Sequence, residues 1–313
     1  MNQKEKNTGS PKLAVALAVL ILFIGVSAGS AAGVETSWIL DAAAGISHTD
    51  NVNNASSPAG KKSDDVSRLF LSGGSYFQVA DYTGISIALD LNKDFSANYS
   101  GLNLISAGVS FRLTHKMGLG PSAVRLNAFT SVSEEEFEDK NRNSVSYKAG
   151  ISGSRWIDDR VKVEVGYEYD KRIPKNDYVN DCAGAYGVYC WPSNYSNVYD
   201  IQGHSGIATA EMALTEKDTL LLSYRYRSGD TVSVDLPSAA VLAASSAVSL
   251  DKAFPALTAY RISAVTQTGS VGISHELIRK MSLNINYSFN TAAGNGGVSY
   301  QSNIFNLIAA YSF

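Results

Sequence analysis

The feature that most constrains this chain is a two-residue alternation of apolar and polar side chains that recurs along most of its length. Val161, Val163, Val165, Tyr167 and Tyr169 fall on one side of an extended backbone, and Lys162, Glu164, Gly166, Glu168 and Asp170 fall on the other. Ile85, Ile87, Leu89 and Leu91 alternate with Ser86, Ala88, Asp90 and Asn92 in the same way, as do Leu283, Ile285, Tyr287 and Phe289 with their polar neighbours. A period of two is that of a strand and not of a helix. Further copies begin near Trp38, Arg68, Ile105, Ala123, Val145, Tyr199, Leu220, Tyr260 and Phe305, which makes twelve predicted strands of about ten residues or more.

That length separates two classes of β protein. Strands of soluble sheets average five or six residues, whereas a tilted strand needs about ten to cross a bilayer. The apolar side is repeatedly Val, Leu, Ile and Tyr, which suits hydrocarbon. No backbone group can stay unpaired there, so such a sheet must close on itself. The expectation is therefore an all-β fold: a transmembrane antiparallel up-and-down β-barrel of about twelve strands. Composition agrees, with 26 Gly and 17 Tyr against only 7 Pro in 313 residues. Glycine serves tight turns and tyrosine suits a half-wet surface.

The connections sort into two alternating classes. Ala80–Gly84, Thr114–Ser122, Trp156–Arg160, Thr215–Asp218 and His275–Lys280 are mostly short. His48–Asp65, Asp94–Gly101, Ser133–Asn143, Lys171–Asn197, Thr231–Thr258 and Thr291–Ser299 are mostly long and polar. Barrels of this kind turn tightly in the periplasm and carry long loops outside, and an even strand count returns both termini to the periplasm. Aromatic residues near strand ends predict two interfacial girdles: Phe95, Tyr99, Phe129, Tyr147, Tyr169, Tyr226, Phe289 and Phe305 outside, and Tyr76, Phe77, Trp156, Tyr311 and Phe313 inside.

The first residues read as an export signal. Lys4, Lys6 and Lys12 precede an unbroken apolar run from Leu13 to Val26, then small residues from Ser27 to Gly33. Fourteen apolar residues fall short of the roughly 20 that a spanning helix requires. Cleavage after Ala32 divides the chain into a signal peptide, 1–32, and an outer-membrane barrel, 33–313. Losing Lys4, Glu5, Lys6 and Lys12 leaves 23 basic and 28 acidic residues, a formal charge of −5, and nothing that asks for nucleic acid. Cys182 and Cys190 then reach an oxidising compartment, where a disulfide closing a short loop is the natural reading. A zinc site needs three or four ligands, and no second Cys or His cluster lies nearby, so no metal or cofactor is expected.

The chain closes on Tyr311-Ser312-Phe313, an aromatic-x-aromatic ending that resembles the C-terminal signal by which the Gram-negative assembly machinery recognises outer-membrane barrels. The resemblance implies a porin-like outer-membrane barrel with lipid, lipopolysaccharide and that machinery as partners. A second, local resemblance covers nine residues, His48-Thr49-Asp50-Asn51-Val52-Asn53-Asn54-Ala55-Ser56. They are similar to the start of the barrel portion of surface lipoprotein assembly modulators and related polysaccharide-locus barrels. Those modulators carry a helical-repeat domain before the barrel that is not found here, so their partner-handling role does not carry over.

With the apolar sides facing lipid, the lumen receives Arg68, Asp90, Arg112, Arg125, Lys148, Lys162, Glu164, Glu168, Arg225 and Arg227. Two readings stay open. These charges line a narrow channel that favours anionic or sugar-like solutes, or they pair across the lumen and plug it, since eight-stranded barrels are filled and open pores usually have sixteen or more. The function expected is passive passage of small polar or anionic solutes. The alternative is a non-conducting barrel serving as a surface binding or export accessory for a polysaccharide or a surface protein.

Three further segments carry expectations. Tyr178, Tyr186, Tyr189, Trp191 and Tyr195 share the loop of the two cysteines and suit either loop packing or sugar stacking. Pro237–Leu250 is uncharged and rich in Ala, Ser and Val, which suggests a short helix capped by Asp235 that either constricts the pore or lies outside it. Glu134, Glu135, Glu136, Glu138 and Asp139 read as a solvated loop. A lipase-like site needs a serine, a histidine and an orienting group within hydrogen-bond reach. Among His48, His115, His204 and His275, only His48 with Asp50 comes near, so no enzyme is expected.

Overall fold

The computed structural model describes residues 35–175 and 197–313. The proposed signal peptide, Cys182, Cys190 and the aromatic residues Tyr178 to Tyr195 lie outside them. Thirteen strands run in chain order: β1 (Glu35–Thr49), β2 (Asp64–Ala80), β3 (Thr83–Ser96), β4 (Leu104–Met117), β5 (Val124–Phe137), β6 (Ser144–Trp156), β7 (Val161–Pro174), β8 (Ile201–Ala213), β9 (Asp218–Asp235), β10 (Ala247–Leu250), β11 (Thr258–Ile278), β12 (Met281–Gly294) and β13 (Ser299–Ser312). Among the described residues one α-helix, α1, spans Ala239–Ala244. All twelve long strands stand where the alternation puts them, and the thirteenth, β10, is a four-residue strand inside a loop.

Each long strand pairs antiparallel with its successor, and β9 pairs with β11 across the loop that contains β10. The ring closes where Asp41–Thr49 of β1 pairs with Ile304–Ser312 of β13. Beyond that ladder the Phe313 amide donates to the Leu40 carbonyl at 2.9 Å. The result is a closed twelve-strand barrel, with Glu35–Ile39 of β1 paired only with β2 and projecting past the end of β13.

The outward side is apolar on one strand after another. Trp38, Ile46, Leu69, Leu91, Ile151 and Val165 are each at least half exposed, an inversion of a soluble protein that hydrocarbon, not water, makes stable. Outward Phe95, Tyr147, Tyr226, Phe289, Phe305, Trp156 and Phe313 are also well exposed, as girdle positions require. Three expected girdle residues turn inward instead, Tyr76 on the lumen face shared by Arg68 and Ser72 of β2 being one. Tyr99 packs on Phe254, ring centroids 4.7 Å apart, and Phe129 faces the lumen beside Arg112. Glu134, Glu135 and Glu136 are also displaced from expectation: β5 extends through Phe137, so they are strand residues and not a loop.

The buried apolar core lies above the barrel, at the end carrying the long connections. Val198, Tyr199, Val234, Ala247, Ala253, Phe254 and Ala259 form one cluster, against which Val52, Tyr99 and Leu102 pack. Val241, Tyr260, Ile262 and Val298 form a second. The strands β9 and β11, at 18 and 21 residues, outgrow the others and lift the 236–257 connection clear of the rim.

Candidate functional site

Counting strands around the ring, the seam between β9 and β11 lies six strands from the seam between β3 and β4, which is diametrically opposite in a barrel of twelve. The 236–257 connection starts at the first seam, and its Phe254 reaches Tyr99 in the loop over the second. It therefore crosses the full width of the mouth. Asp251, with its side chain fully buried, ties the crossing down. It accepts from the Tyr199 hydroxyl at 2.8 Å and the Ala253 amide at 2.8 Å, and it pairs with Arg142 of the β5–β6 loop. Arg142 stacks over Tyr199 at 4.9 Å. Burial pushes the Tyr199 phenol far up, although Arg142 opposes it, so it stays protonated and keeps donating to Asp251.

The Asn-rich segment after β1 fastens the other side of this cap. Asn53 donates to the Val234 carbonyl at 2.7 Å and the Gly60 carbonyl at 2.9 Å, and accepts from the Lys62 amide at 2.9 Å. Asn54 takes a left-handed backbone, φ 53°, and donates to the Val232 carbonyl at 3.1 Å. Asp50 accepts from the Asn303 side chain at 2.6 Å and the Asn303 amide at 2.8 Å. Burial raises its pKa, but these donors outweigh it and hold the carboxyl below the ordinary range. The expected cap of α1 is corrected here. Ser238 caps the helix, accepting from the Val241 amide at 3.4 Å, while Asp235 is buried at the end of β9 and accepts from the amides of Ser56 and Ser57 at 3.1 Å each.

Below the cap the interior is polar. A cavity of about 460 Å³ lies directly under it, lined by Asn53, Arg142, Tyr199 and Phe254 from the cap and by Lys148, Glu168, Asp170, Arg225 and Arg227 from the wall. A second, of about 680 Å³, is lined by Arg68, Asp90, Arg112, Phe129 and Lys148 among others. A third, of about 510 Å³, lies at the opposite end beside Glu216, Lys217, Lys280 and Tyr311. The first two share Ser146 and Lys148, and the second and third share Asp41 and Phe70. Seven of the ten charges assigned to the lumen from sequence line the first two. Arg125, Lys162 and Glu164 stand on the same strand faces but outside these two cavities.

The charges are not used alike around the wall. On β7–β9, Arg225 Nη1 meets Glu168 Oε1 at 2.9 Å, Arg227 grips both oxygens of Asp170 at 3.0 and 2.7 Å, and Lys162 meets Glu211 at 2.9 Å. The two arginine pairs reach across β8, which is possible because Gly203 leaves room: a Cβ there would stand 2.4 Å from the Arg227 guanidinium. On the other wall Arg68 pairs with Asp94 at 2.9 Å and Asp90 accepts from the Ser72 hydroxyl at 2.6 Å. Arg112 and Lys148 have no carboxylate partner among the described residues. Asp170, the cross-strand neighbour of Lys148, is already occupied by Arg227.

The histidines form no hydrolytic set. His48 Nδ1 meets Asp65, not Asp50, at 2.7 Å, His115 meets Thr83 at 2.9 Å, His204 meets Tyr167 at 2.6 Å and His275 meets Asp218 at 2.7 Å. No serine is bonded to any of these rings among the described contacts. No cluster of three or more metal-binding side chains occurs among the described residues.

No protein-family model matches the chain, and no curated protein matches it. Solved structures do. An outer membrane channel from Pseudomonas putida F1 is 8% identical with a TM-score of 0.54, covering 88% of this chain and 95% of that one. The translocator domain of the autotransporter NalP from Neisseria meningitidis is 13% identical with a TM-score of 0.44, covering 96% of each chain. The KdgM porin in complex with disordered oligogalacturonate is 9% identical with a TM-score of 0.44, covering 87% of this chain and 99% of that one. The P. putida likeness speaks to fold, and with the closed ring and apolar exterior it gives this chain the fold of an outer-membrane β-barrel.

Proposed function

We propose that the protein is a porin-like channel of the outer membrane, with the short turns in the periplasm, that passes small polar or anionic solutes. The observation that carries this reading is the run of three cavities from under the cap to the opposite mouth, adjacent ones sharing lining residues. Basic residues outnumber acidic ones six to three around the cavity beneath the cap, and of these Lys148 is the cation with no carboxylate partner among the described residues, left to meet an anionic solute. The crossing connection narrows the mouth and screens solutes by size. Among the described contacts, neither histidine that is bonded to a hydroxyl, His115 on Thr83 or His204 on Tyr167, is also bonded to a carboxylate that would orient its ring, and we read transport.

One observation favours a second reading: the cap is tied down by buried polar groups on several loops, as a surface platform for a polysaccharide or protein would be. Single-channel recording of the purified protein in a planar bilayer separates the two. Steady openings are the expected result. A silent bilayer would overturn the channel and favour the platform.

A further inference from the structure

Resting on the channel reading, we infer that solute recognition is confined to one wall of the lumen, at a site on β4–β6 built from Arg112, Lys148 and Phe129, and that its ligand is a hydroxylated carboxylate the size of one sugar ring. Three independent observations meet there.

The first is charge that is not already spent. The cations on β7–β9 are held by Glu168, Asp170 and Glu211, and a solute would have to compete with those carboxylates for them. Arg112 and Lys148 are exposed to the lumen, and neither has a carboxylate partner among the described residues. On β7 the acid without a partner among the described residues is Glu164, which repels an anion. The acids around the 680 Å³ cavity do not cancel the two cations. Asp94 is paired with Arg68 and Glu135 with Arg172; Asp90, hydrogen-bonded by Ser72 but still charged, lies on β3, and Asp41 sits where this cavity meets the one at the far mouth, so neither is on β4–β6.

The second is spacing. Arg112 stands opposite Phe129 of β5, and Lys148 stands opposite Ser131 of the same strand on its other side. The two cations therefore flank β5, about two strand spacings across and two residues along, or roughly 12 Å apart at the backbone. That gap suits a single ring whose carboxylate meets one cation and whose hydroxyls or second anionic group meet the other.

The third is the surface between them. Phe129 points into the lumen with Arg112 over its ring, 6.0 Å from the centroid. It can lie against the sheet because its neighbour on β6 is Gly150: a Cβ there would stand 2.5 Å from the ring. An aromatic face at the floor of a polar cavity is a stacking surface for the apolar face of a sugar ring. Ser110, Ser131 and Ser133 surround it with hydroxyls that can donate or accept.

Saturation-transfer NMR on the full barrel folded in detergent, titrated with glucuronate, tests the site directly. The native protein is expected to bind glucuronate and to bind glucose at least tenfold more weakly. Changing Arg112→Gln together with Lys148→Gln should weaken glucuronate at least tenfold. Arg160→Gln, a charge control on an exposed turn, should leave it within twofold. The charge-keeping Lys148→Arg should retain binding, and heat-dependent electrophoretic mobility confirms that each variant is a folded barrel. No glucuronate binding by the native protein, undiminished binding by the double variant, or an equal loss in Arg160→Gln would each overturn the proposal. Bilayer recordings of the same preparation keep the two ideas apart: a silent bilayer with binding intact sinks the channel and leaves the site.

Discussion

The two ends of the barrel are finished by opposite means. At the end carrying both described termini, the connections are only two to six residues long, and their bonds stay within a turn or reach the next strand end, as Asp218 does to His275 at 2.7 Å. The turn after β6 is typical: Asp158 accepts from the amides of Arg160 at 2.7 Å and Val161 at 2.8 Å, all within four residues. At the other end the connections are stabilised by one another. Asp251 answers to Arg142 and Tyr199, more than fifty residues away in sequence, and Asp235 answers to Ser56 and Ser57 across nearly 180. Chemistry that the short turns keep exposed is buried here and spread over several loops. The lesson is that one end is built to stay open and the other to be shaped.

That contrast yields unequal responses to substitution. The largest effect is expected at Asp251. Replacing it with Ala leaves the buried Arg142 guanidinium with only the more distant Asp139, at 3.8 Å, and Tyr199 without its acceptor, a loss of up to about 3–5 kcal/mol for a buried pair. Local opening of residues 236–257, read by hydrogen exchange or limited proteolysis, should quicken by at least about a hundredfold while the barrel keeps its heat-dependent mobility. Unchanged protection there would mean that the crossing connection does not depend on this tie.

The smallest effect belongs to the turn after β6. The Arg160 and Val161 amides hold the exposed Asp158 carboxyl below the ordinary range. A carboxyl with a lowered folded pKa contributes stability above its unfolded pKa and loses it as the pH falls through the folded value. Asp158→Ala should therefore speed exchange of those two amides modestly at neutral pH. The difference should vanish in acid below the ordinary carboxylate range. A difference that persisted there would show that the turn does not rely on the ionised carboxyl.

The same contrast explains what the sequence made legible. Period-two alternation is imposed by hydrocarbon on one side and water on the other, so it located all twelve barrel strands, and turn length located both ends. The cap left no periodic trace. Its bonds join residues as far apart as Asn53 and Val234, and a peptide such as Pro237–Leu250 reads the same whether it crosses the mouth or hangs outside it. Short polar cap residues are therefore ambiguous in sequence: Asp235 reads as a helix cap, and Asp50 is merely the nearest acidic residue to His48 along the chain. Phe129 and Tyr99 looked like girdle aromatics because their distance from strand ends was right. Parity along β5 puts Phe129 on the face of Arg125 and Ser131, a signal that was available. For Tyr99, only the long-range contact with Phe254 decides.

The charged lumen positions divide in a similar way. Alternation gave their side of the sheet, while whether Arg225 or Lys148 is free depends on pairing two strands away and on Gly203 leaving a path for Arg227.

The central claim, a continuous lumen narrowed by one connection that crosses its mouth, is tested most directly by comparing single-channel conductance of the native protein with that of a variant in which Ser238–Pro255 is replaced by a short flexible linker. The account expects both to open steadily and the shortened barrel to conduct severalfold more. Equal conductance, or two silent bilayers from folded barrels, would contradict it.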